Sequence, residues 1–94
     1  MSEVEEEVIK TEIKEYVLGW GGKYSEWCVG IASDARQRLF GDYRVNEKSD
    51  GWIYRTASSI DIARKIELYF IDLGVKTDPT VVNEDTRIYL YKMS

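Results

Sequence analysis

Glu67 and Arg38 are the residues of this sequence whose type and setting could do chemistry. Glu67 sits in a helical pattern with Ala63, Phe70 and Ile71 three and four positions away and Ile60 one turn further, so its carboxylate falls on the apolar flank. A charge there is costly unless it is paired or holds a metal. Arg38 and Arg36 share a second helical pattern downstream of Gly30. A guanidinium offers planar, two-pronged contact to phosphate, and a glycine on a strand lets another group approach the backbone closely.

The absence of histidine narrows the chemistry further. It excludes Ser-His and Cys-His nucleophile pairs, the zinc-hydrolase helix motif and two-His iron sites. The lone Cys28 makes neither an internal disulfide nor a zinc site. A bound metal must therefore take carboxylates, carbonyls and water, which favours magnesium, manganese or calcium. Gly19-Trp20-Gly21-Gly22-Lys23 is not a phosphate loop: the first glycine of that motif would fall at Val17, no Ser or Thr follows the lysine, and a flexible turn accounts for it.

The elements that must position these side chains follow from periodicity. Val4, Val8, Ile9, Ile13, Tyr16, Val17 and Trp20 predict an amphipathic helix over 1–18, opened by a Ser2/Glu5 capping box and closed by the glycines of 19–22. Residues 26–32 predict a strand, with Trp27, Val29 and Ile31 on a bulky face and Cys28, Gly30 and Ala32 on a small one. A cap at Ser33 or Asp34 starts a short helix from Ala35 to about Phe40, ended by Gly41. Residues 46–51 form a polar turn, and 52–57 a second strand in which Trp52, Tyr54 and Thr56 alternate with Ile53, Arg55 and Ala57. A serine cap at 58 or 59 starts a longer helix to Leu73, with Ile62, Ile66, Tyr69, Phe70 and Leu73 as its apolar face, Gly74 as its stop and Pro79 beyond. Residues 75–85 read as irregular loop and 86–93 as the last strand, with Ile88 and Leu90 facing one way and Arg87, Tyr89 and Tyr91 the other. The expected fold is a single α+β domain over 1–94, with a three-stranded sheet, the order α-β-α-β-α-β, and a core over 26–93.

Trp27-Cys28-Val29-Gly30-Ile31, Arg38 eight residues after the glycine, and Ala63-x-x-x-Glu67 on the following long helix together resemble the GIY-YIG nuclease superfamily. The resemblance covers roughly residues 26–73. It implies a small three-stranded sheet flanked by helices and a metal-dependent phosphodiesterase acting on nucleic acid. Glu67 would hold magnesium or manganese, Arg38 would stabilise the phosphate, and Gly30 and Arg36 would contact substrate. Tyr43, Tyr89 and Tyr91 are the candidate proton-handling groups, and Asn83 stands in for the asparagine that follows the family's glutamate helix. Cys28 occupies the position of the tyrosine that opens the family's second motif. The family's first strand has no counterpart, because Glu15 to Leu18 continues a helix. The final strand, pairing with the Cys28 strand in its place, would bring Tyr89 or Tyr91 beside Arg38 and Glu67. Fold and function are separable, so a catalytically inactive binding or structural module on the same fold is the alternative.

Composition bounds both readings. At 94 residues, 44% hydrophobic and 13% aromatic, the chain supports one core and not a disordered segment. The net charge of −4 argues against a generic phosphate-backbone binder. Residues 1–15, however, hold six acids and two lysines and account for all of it, leaving a neutral body in which weak nucleic-acid binding is admissible. The acidic start is unlike a signal or transit peptide and, with a single cysteine, points to the cytoplasm. It also suits a docking helix for a protein partner. No apolar run is long enough for a membrane helix.

Overall fold

The structure, a computed structural model, describes residues 2–77 and 85–93, with side chains from Glu5 onward. The Ser2/Glu5 capping box, the apolar assignment of Val4, and the expectations for Pro79 and Asn83 lie outside that description. The domain is α+β. Helix α1 (Ser2–Trp20) leads through a 3-10 turn (Tyr24–Glu26) into strand β1 (Trp27–Ala32). A π-helical segment (Gln37–Asp42) and strand β2 (Trp52–Thr56) follow, then helix α2 (Ile60–Asp72) and strands β3 (Lys76–Thr77) and β4 (Arg87–Lys92).

Among the described residues the sheet has four strands, in the order β2-β4-β1-β3, rather than the three expected. The addition is β3, which lies within the segment expected to be loop and pairs parallel with β1 through Cys28–Lys76 and Val29–Thr77. Strand β4 runs antiparallel to both neighbours, setting Tyr89 opposite Gly30 on β1 and opposite Tyr54 on β2.

Alternation along the strands divides the core into two layers. Trp27, Val29, Ile31, Ile53, Ile88 and Leu90 point to one face, which α1 covers with Ile9, Ile13 and Val17, and α2 with Ile62, Ala63, Ile66 and Phe70. The opposite face carries Ala32 and Tyr89 and is covered by Ala35, Leu39 and Val45, with Phe40, Tyr43, Trp52, Tyr54 and Tyr91 packed around them. On α1, Val8 is about half exposed and does not join the expected apolar face. Leu73 likewise sits at the exposed C-cap of α2.

Helix α2 begins where a serine cap predicts, with Ser59 Oγ accepting from the Ile62 N–H at 3.2 Å. The shorter helical segment does not end at Gly41. It widens into a π turn that passes through the glycine to Tyr43, closed by Tyr43 N–H donating to the Arg38 carbonyl (3.0 Å) and Val45 N–H to the Leu39 carbonyl (2.9 Å). The left-handed residue that a helix end commonly takes is Arg44, at φ 57°, the only non-glycine residue with positive φ among the described residues.

Strand β2 is an edge strand, and its outward backbone groups are partly covered. The bonds from Lys92 N–H to Gly51 O and Ala57 N–H to Thr86 O fix the register, so that Trp52, Tyr54 and Thr56 turn their own N–H and C=O groups away from β4. Tyr16 Oη accepts from the Trp52 N–H at 3.0 Å, and Arg55 Nη1 donates to the Tyr54 carbonyl at 2.8 Å. These side chains blunt an edge that would otherwise invite pairing with another chain.

Candidate functional site

Strand β4 supplies the first half of the expected constellation. Its register with β1 brings the Tyr89 ring over Gly30, and a Cβ at Gly30 would collide with the Tyr89 hydroxyl and Cζ. The space above Gly30 that would admit a substrate is therefore filled by the protein's own phenol. Tyr89 is buried, and its hydroxyl lies 3.5 Å from that of Tyr43. Burial is the main cause that pushes the Tyr89 phenol far above its ordinary pKa; the bond to Tyr43 adds to this, while the nearby positive charge of Arg38 opposes it. Tyr43 stacks on Tyr91 with ring centroids 4.8 Å apart. Arg38, Tyr43, Tyr89 and Tyr91 thus gather on one side of the sheet.

Glu67 is not with them. It rides on α2, whose buried residues pack on the face built from Trp27, Val29 and Ile31, whereas Arg38 belongs to the segment covering Ala32 and Tyr89. The expected Arg38–Glu67 pair is thereby divided between the two sides of the sheet, and each charge is met locally. Arg38 Nη1 lies 3.4 Å from Asp42, and Arg64 Nε lies 3.6 Å from Glu67. Arg36 is drawn away as well: it pairs with Glu47 at 3.0 Å and lies 5.0 Å over the Phe40 ring. Among the described residues no three His, Cys, Asp or Glu side chains gather where an ion could be held. Glu67, a lone carboxylate engaged by Arg64, does not form the preformed oxygen cage that a hard cation takes.

Burial raises the Glu67 carboxyl pKa above its ordinary value, with the Arg64 charge acting in the opposite direction. A carboxyl with a raised folded-state pKa favours the folded protein while protonated and loses that contribution as pH rises through the folded value. Glu67→Gln should therefore be better tolerated at pH 7 than at pH 4. Arg64→Met, which keeps the aliphatic stem but leaves Glu67 unopposed, should cost about 1–2 kcal/mol at neutral pH, between an exposed and a buried pair, and less in acid. Urea unfolding of the variants at the two pH values measures this. A cost for Arg64→Met that does not change with pH would show that the pair carries no electrostatic weight.

Sequence reasoning missed a groove of about 760 Å³ beside β2, walled by Tyr16, Trp20, Trp52 and Tyr54 and flanked by Arg36 and Arg55. Its aromatic residues were legible one by one, but nothing in their spacing says that the end of α1 folds across the strand edge to meet them. Compared with protein-family models, with curated proteins and with solved structures, the chain matches none. No helix among the described residues is long and apolar enough to cross a membrane.

Proposed function

We propose that this chain is a binding module on a GIY-YIG-like domain and not a working nuclease. The observation that carries this reading is the division of Arg38 and Glu67 between opposite sides of the sheet, each held by a neighbour on its own helix. Cleaving a phosphodiester needs the phosphate clamp and the charge-neutralising group on one reacting centre. The phenol packed over Gly30 works in the same direction, because it closes the approach to the strand.

The cleaving alternative draws on the pairing of β4 with β1, which sets Tyr89 and Tyr43 within reach of each other and near the Arg38 charge. In that case Glu67 would be the residue to hold magnesium or manganese, and the substrate would be nucleic acid.

Supercoiled and single-stranded DNA, incubated with the protein and magnesium or manganese, distinguish the two. The binding-module reading expects nicking no greater than in buffer and no different for Glu67→Ala or Arg38→Ala. Nicking by the parent chain that both substitutions abolish would establish the nuclease instead.

A further inference from the structure

Arg44 stands apart from the other arginines of the chain. The chain has six arginines. Five have a carboxylate partner: Arg36 with Glu47, Arg38 with Asp42, Arg55 with Glu12, Arg64 with Glu67 and Arg87 with Asp85. Arg44 alone has none among the described residues. It also occupies the left-handed position at the end of the π-helical segment, where glycine is the usual residue and any side chain is strained. The two backbone bonds on either side of it, from Tyr43 N–H and Val45 N–H, fix where its side chain leaves the backbone. Arg44 forms part of the wall of a pocket of about 250 Å³, together with the stacked rings of Tyr43 and Tyr91, and with Lys92, Asp50 and Met93. Lys92 contributes to the wall, but its side chain turns to the other face of β4, toward Gly22 and the Glu26 carboxylate, so Arg44 supplies the pocket's positive charge. The one carboxylate there, Asp50, is engaged locally, its Oδ2 accepting from the Asn46 N–H at 2.8 Å.

We propose that this pocket binds the phosphate group of a small molecule. Arg44 is the two-pronged donor, and the tyrosine wall supplies an apolar side. The volume is below that of a drug-sized cavity and suits a compact oxyanion with at most a small appended ring. This deepens the binding-module reading by naming a ligand class. That reading is tested by nicking and this one by titration, so the two fail separately.

The test is an NMR titration of the full chain with inorganic phosphate and, separately, with adenosine 5′-monophosphate. Shifts are expected at the amides of Arg44, Tyr91 and Lys92. Arg44→Gly suits the left-handed backbone and removes the whole side chain with its cation, so it should fold at least as well and weaken binding about tenfold or more. Arg44→Lys should retain part of the affinity, and Arg36→Ala, outside the pocket, should retain all of it. Equal affinity for the two probes assigns recognition to the phosphate alone, and tighter binding of the nucleotide adds its ring as a second determinant. The proposal is overturned if neither probe shifts these amides at about 20 mM, well above a millimolar dissociation constant, or if the shifts persist unchanged in a folded Arg44→Gly.

Discussion

Gly30→Ala is expected to destabilise the domain by about 2–3 kcal/mol, at the upper end of what one inserted methyl costs in a packed core. The added carbon would fall on the hydroxyl and Cζ of Tyr89, the rigid end of an aromatic ring and not a flexible tip. Tyr89 has little freedom to yield. It is buried, paired across both strand interfaces and in ring contact with Tyr43 and Tyr91. Removing only the hydroxyl leaves the clash with the ring carbon, so Tyr89→Phe should not rescue Gly30→Ala. Tyr89→Ala should cost about 3–5 kcal/mol alone as a deleted buried aromatic, yet the double variant should cost clearly less than the sum, by about 1–3 kcal/mol. Urea denaturation of the four proteins measures the cycle. A neutral Gly30→Ala, or strict additivity, would mean that the space over Gly30 is open and that a ligand could reach the strand there.

That pair also shows what a linear reading can and cannot deliver. The bulky and small faces of β1 and the alternation of β4 are legible, because a period of two survives in Trp27-Cys28-Val29-Gly30 and in Ile88-Tyr89-Leu90 whatever the strands pair with. That β4 pairs with β1 follows from the need to partner a strand that no upstream element can partner, whereas the antiparallel direction of the pairing is seen only in the fold. Strand β3 escapes because two residues carry no period, and only the edge of β1 makes Lys76 and Thr77 extended. The end of the π-helical segment escapes for a different reason. Gly41 has the propensity to stop a helix, but the closing bonds to Arg38 and Leu39 place the left-handed residue three positions later. The site fails at a third level. Periodicity assigns Arg38 and Glu67 each to a helix, but not which side of the sheet that helix covers, so residues that share a motif in sequence need not share a surface.

Deleting residues 1–15 should unfold the domain and not merely detach an arm. The acidic helix reads in sequence as a separable docking element, but four of its acids, Glu5, Glu6, Glu7 and Glu12, are engaged within its own fold. Glu5 accepts from the Ser58 N–H at 2.6 Å just ahead of α2, Glu12 pairs with Arg55 at 3.0 Å, and Glu6 and Glu7 are engaged by Lys10. Lys14 reaches the Tyr69 hydroxyl at 3.0 Å, and Lys10 lies 4.4 Å over the same ring, so α1 is tied to α2 from both sides. More weighty are Ile9 and Ile13, buried in the core cluster that α1 shares with α2 and the sheet. Their burial contributes about 1.5–3 kcal/mol each, and the core left bare by their removal adds to the loss. The sum approaches the whole stability of a domain this size, roughly 5–15 kcal/mol. Ile13→Ala alone should cost about 2–5 kcal/mol. Val8→Ala, half exposed on the same helix, should stay within about 0.5 kcal/mol of the parent. Far-UV circular dichroism and amide dispersion of the truncated chain decide the matter. A truncated protein that still unfolds cooperatively would make α1 an appendage and leave its acids available to a partner, whereas loss of the folded signal makes the helix the third wall of the core and its acidic composition a consequence of capping and pairing within one domain.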